Sequence, residues 1–370
     1  MESWSNSVKN NNLKVLVIST VGLQYEGITS VISSLLHNMD LANMDVYVAG
    51  TICVEESIRE DFESIGCHVV DFPTRKTDTI SYFMQLVKFI HKTKIQVVHA
   101  HGNSATLAIE MVAAWLGGCP KRIAHSHNTT CEQVKADKML RPIFYMFYTH
   151  AIACGYEAGK WLFSSRQFTV MKNGREIEKY AFDEEKRNSI RSELNIENKI
   201  VIGHVGNFLE QKNHAFLIEI YNEIIKREPN CVLFMIGDGP LKSQIEKCCT
   251  DMLEHIIFTG KTDKVAELIN AMDGMLLPSL FEGLPLVVVE WQINGLPCLI
   301  ADTITKESVL SKLVIFESLQ NSAAVWAEKI LYEIKRNNRS ISSKNGQAAV
   351  SAAGFDSKES ASLIRHIYMN

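Results

Sequence analysis

IVIGHVGNFLEQKNH, residues 200–214, is a β-rich run ending at Gly206, then a short polar turn, then the start of a helical pattern. Strand, turn and helix in that order form the unit from which doubly wound parallel sheets are built. The stretch before it, residues 173–199, is charged and polar and shows no strand pattern, which makes it the best linker candidate in the chain. On its N-terminal side, β-rich runs near 13–19, 45–50, 67–72, 95–100, 121–126, 150–154 and 168–172 alternate with helical stretches. On its C-terminal side the alternation restarts at 200–206 and continues at 231–237, 255–260, 274–278 and 297–301, with a last helix near 322–336. The expected architecture is therefore α/β, with two Rossmann-like doubly wound domains. A length of 370 residues, beyond what one hydrophobic core usually serves, agrees. Ligands of such sheets bind past the carboxyl ends of the strands, so two facing units predict a central cleft.

Composition narrows the function classes. The chain is 46% hydrophobic and 22% charged, with a net charge of -4, so its overall charge gives no reason to expect nucleic acid as a partner. Nine scattered cysteines contain no C-x-x-C pair, which fits reduced thiols in the cytoplasm and argues against zinc or a disulfide framework. The opening residues, MESWSNSVKNNN, are polar, lack the pattern of a secretory signal and read as a frayed tail. No apolar run approaches the ~18 residues of a membrane span, so any membrane contact is expected to be peripheral. One stretch, KADKMLRPIFYMFY (135–148), mixes bases with aromatics; it suits either an anionic membrane surface or a buried helix with a polar start.

Four features carry chemistry. Lys212 sits where a strand end gives way to a helix, a place from which an ammonium can reach a phosphate, although a lone lysine is more often a solvated surface charge. Gly27 opens a helix after the first strand, so backbone N–H groups could approach a phosphate there. The G-x-G-x-x-G spacing of nicotinamide-binding folds is absent, and the second strand ends in VAGT without an acid for a ribose, which disfavours a dehydrogenase. His99 with His101, and His125 with His127, end successive strands, and alternation puts each pair on one face. A metal would want carboxylate or thiolate company at suitable spacing, so hydrogen bonding to a substrate is the better reading. Finally, FEGLPLVVVE (281–290) sets Glu282 in a loop and Glu290 inside a helix expected over 285–294, roughly 7 Å along the axis from Pro285. Two acids so far apart serve different parts of an extended ligand, with an anion at the helix N-terminus between them. The plainer alternative is a buried helix whose Glu290 pairs with a base.

Taken together these blocks resemble a family. Glu282 and Glu290 within FEGLP, with HVGNFLEQKNH, MIGDGP, HAH, AHSHNT, MKNG and IADTITKE, are similar in kind and order to the family-four retaining glycosyltransferases of the GT-B fold, in particular the bacterial capsular and exopolysaccharide members. The resemblance implies transfer of a sugar from a nucleotide-sugar, most simply a UDP-sugar, to a hydroxyl of a lipid-linked saccharide. It implies that Glu290 holds the donor ribose, that Glu282 with the amides of Gly283 and Leu284 holds the transferred sugar, and that Lys212 and Gly27 serve the diphosphate. It places His101 by the reacting sugar, with His127 on the acceptor side. No cofactor or metal is implied, since no D-x-D pair is present. Implied domains are 1–172 on the acceptor side and 173–354 on the donor side, with a helix over 355–370 crossing back. One position departs from the pattern: the arginine usual after the glycine of the VG strand end is Asn207, and Arg175 or Lys261 is the candidate substitute. A nucleotide-sugar 2-epimerase, or a catalytically weak nucleotide-sugar binder, is the alternative on the same architecture.

Overall fold

The computed structural model describes residues 12–24 and 27–370. The polar tail read as frayed lies outside them, apart from Asn12, as do Tyr25 and Glu26 just before Gly27. The chain divides into two compact units, the first running to Gly174 and including Ser357–Asn370, the second spanning Arg175–Asp356.

The first unit holds one parallel sheet of seven strands: β1 (Leu13–Ser19), β2 (Met44–Gly50), β3 (His68–Asp71), β4 (Val97–Gly102), β5 (Lys121–Ser126), β6 (His150–Ala153) and β7 (Thr169–Val170). Their order is β3-β2-β1-β4-β5-β6-β7. The second holds six parallel strands: β8 (Ile200–Val205), β9 (Cys231–Ile236), β10 (Ile256–Gly260), β11 (Gly274–Leu277), β12 (Cys298–Ala301) and β13 (Val314–Glu317), ordered β10-β9-β8-β11-β12-β13. Both are doubly wound, with the order reversing between β1 and β4 in one and between β8 and β11 in the other. At such a reversal the loops leaving two adjacent strands turn opposite ways and open a crevice. The central strands of the second sheet are buried along their length, apart from Ile200 at the start of β8, as parallel strands covered on both faces must be.

The interval over 173–199 is less of a linker than its composition suggests. Residues Glu184–Glu193 form a helix capped by the Asp183 side chain, which accepts from the Lys186 N–H. Arg187 and Arg191 of this helix converge on Asp273, Arg187 at Oδ1 and Arg191 at Oδ2, and Oδ2 also accepts the Val201 N–H at 2.8 Å. Arg187 further donates to the carbonyls of Asn270, Ala271 and Met272. The charges that look like a solvated linker are thus what fastens the helix to the second unit. The last strand of that unit, β13, and the helix Arg339–Ala352 are likewise additions to the sequence reading.

The helix in FEGLPLVVVE runs over Leu286–Ile293, with Pro285 as its N-cap and not its first residue. It stops where Gly295 takes φ +78°, a conformation that a side chain would strain. Val288 to Ile293 are all buried, Glu290 included, so a carboxylate lies in an otherwise apolar helix.

Candidate active site

The crevice at the reversal of the second sheet is lined by the segments that leave β8 and β11. After β8 the chain passes Gly206, Asn207 and Phe208 into a single turn, Glu210–Lys212. After β11 it passes Ser279 and Glu282 to the helix at Leu286. The two are stitched together: the Leu280 N–H donates to the Gln211 carbonyl at 2.8 Å, and Gln211 Nε2 donates to the Phe281 carbonyl at 2.9 Å. Lys212 Nζ then meets Glu282 Oε1 at 2.6 Å. Ser279 Oγ donates to the same oxygen at 2.8 Å, and Gln211 Nε2 to the other at 3.2 Å. Gly206 permits this, because a Cβ there would stand 3.0 Å from Lys212 Cε. Gln211 and Ser279 join the candidate site through Glu282 and are absent from the sequence reading; their signal was only their place beside Lys212 and Glu282.

No side chain caps the helix at Pro285, and Gly283 just before it is exposed. Backbone donors and the positive end of the helix dipole therefore stand beside the ammonium of Lys212, an arrangement suited to a diphosphate. Asn207 is exposed in the loop after β8, with its carbonyl accepting from the Leu209 N–H at 2.8 Å.

Glu290 has found the base that burial demands. Arg175 Nε stands 2.7 Å from Glu290 Oε1, and both residues are about 95% buried (Arg175 5% and Glu290 6% exposed). Burial pushes the Glu290 carboxyl up from its ordinary value, while Arg175 and the Tyr180 hydroxyl pull it back down. This corrects the expectation that Arg175 substitutes for the missing arginine on a phosphate: its guanidinium is engaged with the acid that the family resemblance gives to ribose.

In the first unit Gly27 opens the helix Gly27–His37 after β1, with its Cα side open to solvent. His101 pairs in register with Ser19 of β1 and with His125 of β5, so it lies at the sheet's reversal. Four imidazoles gather there. His99 Nδ1 bonds the Tyr368 hydroxyl at 2.7 Å, His99 Nε2 bonds His125 Nδ1 at 3.2 Å, and His101 Nδ1 bonds His127 Nε2 at 2.9 Å. Burial holds all four neutral: His99 and His127 are lowered to about 3, and His101 and His125 well below their ordinary value. Nε2 of His101 and of His125 has no partner among the described residues. The ring nitrogens of His99, His101 and His125 are spread over up to 4.8 Å, against roughly 3.4 Å between ligands of a tetrahedral ion at ~2.05 Å. Hydrogen bonding by neutral imidazole suits the cluster better than a metal.

Residues 199–332 match the family model "Glycosyl transferases group 1". The chain is 36% identical over 248 residues to EpsF of Bacillus subtilis, provisionally named a glycosyltransferase; the alignment covers 63% of this chain and 64% of EpsF. It is 26% identical over 289 residues, 72% of this chain and 74% of the relative, to the UDP-Gal:alpha-D-GlcNAc-diphosphoundecaprenol alpha-1,3-galactosyltransferase of Escherichia coli. Among solved structures, HepE of Anabaena in complex with UDP-glucose superposes with a TM-score of 0.78 at 17% identity, covering 97% of this chain and all of that one. Residues 199–332 are thus similar to the group 1 glycosyltransferases, and the chain has the two-domain GT-B fold.

Proposed function

We propose that the chain is a retaining, metal-independent glycosyltransferase that moves a sugar from a UDP-sugar to a hydroxyl of a lipid-linked saccharide in exopolysaccharide or capsule biosynthesis. The observation that carries this reading is the Lys212–Glu282 pair beside an uncapped helix N-terminus at a sheet reversal, with Glu290 eight residues further on. Lys212 and the amides near Gly283 and Leu284 meet the negative charge that builds on the diphosphate as it leaves. Such fixed donors stabilise the transition state without solvent having to reorganise. Glu282, which Lys212, Ser279 and Gln211 hold in place, accepts from hydroxyls of the transferred sugar. Glu290 accepts from the ribose, the Gly27 segment serves the diphosphate, and neutral His101, backed by His127, hydrogen-bonds the reacting sugar. The names of the Escherichia coli relative and of the HepE complex support a UDP-sugar donor, and the former also supports a lipid-diphosphate acceptor.

The test is a reaction of UDP-sugar with saccharide acceptor in the presence of EDTA, followed by NMR of the product. The expected result is acceptor-dependent UDP release with the anomeric configuration kept and the rate unaffected by chelator. An inverted product, or activity restored only by magnesium or manganese, would overturn the mechanism. A new nucleotide-sugar formed without acceptor would favour the epimerase.

Asn207→Arg supplies a second prediction. With Arg175 engaged by Glu290, the diphosphate has Lys212 and backbone donors to meet its charge. A further cation at this exposed turn should raise turnover on the order of a hundredfold, the scale of one transition-state donor, while Lys261→Ala leaves it unchanged. A fall in rate for Asn207→Arg together with a fall for Lys261→Ala would mean that Lys261 already fills the place.

The working place we propose is the cytoplasmic face of the membrane, with peripheral contact. Among the described residues no helix is long and apolar enough to cross a membrane. The helix Val134–Phe147 is not buried all round: Met139, Ile143 and Met146 are exposed on one face, next to exposed Lys135 and Lys138. Basic and apolar side chains on one face suit an anionic bilayer. Vesicles containing phosphatidylglycerol should sediment the protein, and Met139→Glu/Met146→Glu should abolish this; equal sedimentation of both proteins would count against it.

A further inference from the structure

Arg175, the buried partner of Glu290, is a cation of the second unit to which the proposed reaction gives no role. It rests on unusual provision. Arg175 is fixed by its backbone, with its N–H donating to the Phe355 carbonyl at 2.7 Å and a β-bridge to Asp356. Its guanidinium is therefore presented to Glu290 from a braced position and not from a loose side chain. A carboxylate offers about four acceptor positions. Arg175 and the Tyr180 hydroxyl use part of that capacity and leave the rest for other donors. Vicinal hydroxyls, such as those of a ribose, match the two-oxygen edge of a carboxylate. They need that carboxylate ionised, because a protonated acid has lost one acceptor and turned it into a donor. Burial favours the protonated acid, and the adjacent guanidinium opposes it.

We propose that Arg175 is a positioning residue for the donor nucleoside: by pairing with Glu290 it keeps that carboxylate ionised and oriented to accept from the ribose hydroxyls, while making no contact with the nucleotide itself. This rests on the donor reading of Glu290 given above. It assigns Arg175 a role different from that of a phosphate-binding arginine, and the two roles predict different coupling.

The experiment is a double-mutant cycle on UDP affinity, measured by calorimetry, with Arg175→Met, Glu290→Gln and the double variant. Arg175→Met in the otherwise unchanged chain should weaken UDP about thirtyfold, the scale of hydrogen bonds to a charged group. In the Glu290→Gln background the same change should cost less than twofold, since no carboxylate remains to be held. Arg175→Lys, which keeps the charge and guards against a variant that fails to fold, should recover most of the affinity. Equal loss in both backgrounds would show that Arg175 touches the nucleotide and would overturn the proposal, as would no loss in either. Wild-type protein that binds no UDP would instead remove the donor reading, and the proposal with it. In steady state, Arg175→Met should raise KM for the UDP-sugar and leave kcat nearly unchanged; a fall confined to kcat would count against positioning.

Discussion

Lys212→Ala should lower turnover by about a hundredfold to a thousandfold, the effect of removing one preorganised donor of roughly 3–4 kcal/mol from a developing anion. The size follows from how few cations the site commits to that task. Lys212 is the ammonium that β8 and its turn deliver to the reversal of the second sheet, and Asn207 contributes none. The loss should fall mainly on kcat, because the interaction strengthens as the bond to the diphosphate breaks. A second consequence reinforces it. Without the ammonium, the Glu282 carboxylate, whose side chain is 9% exposed, loses the partner 2.6 Å away and keeps Ser279 and Gln211 among the described residues. Sugar placement should therefore degrade together with charge stabilisation, and Lys212→Arg should restore only part of the rate, since a planar guanidinium cannot take the place of a compact ammonium above Gly206. Steady-state kinetics of the two variants check this; a Lys212→Ala rate within threefold of wild type would mean that the diphosphate sits elsewhere.

Much of this site is legible in the sequence because its parts are local. Lys212 follows a strand by seven residues, Glu282 precedes a helix by four, and each is read from its own strand-to-helix junction. Topology then brings the junctions together, since β8 and β11 are neighbours at the point where strand order reverses. The parts that escape the sequence are the ones fixed by partners far along the chain. Arg187 and Arg191 look like a solvated charge run until Asp273 is brought to them by folding, so a helix reads as a linker. Arg175 looks like a spare cation for a phosphate; only the burial of the helix Leu286–Ile293 shows that Glu290 needs it more. A carboxylate in an apolar helix announces that it must have a base, and nothing in local spacing says which one. The same holds for Tyr368, 269 residues from the imidazole it bonds.

That imidazole belongs to a cluster with a strong consequence for stability below neutral pH. His99 and His127 take protons in the folded chain only near pH 3, and His101 and His125 also lie well below their ordinary value of 6.5, because burial and neighbouring imidazoles disfavour the charge. In the unfolded chain all four protonate near 6.5. The unfolded state therefore binds more protons than the folded one throughout the window between about 6.5 and 3, and stability falls as pH falls through it. The contribution is intact above 6.5. At pH 5 His99 and His127 each cost about 2 kcal/mol, or about 4 together, and His101 and His125 act in the same direction; that is a large part of the stability of an ordinary domain. Unfolding of the first unit should thus move to much lower urea between pH 7.5 and pH 5, and the double variant His99→Gln/His127→Gln should show a markedly shallower dependence. Urea midpoints measured at the two pH values for both proteins check this: a wild-type midpoint that stays constant would mean that the imidazoles are solvated or already paired with an acid. The same neutrality gives His101 its chemical character at the reversal of the first sheet. At neutral pH it is an uncharged imidazole whose Nδ1 is held by His127 and whose Nε2 is left to donate or accept, so it can share a hydrogen bond with a sugar hydroxyl but cannot supply a positive charge to the leaving diphosphate.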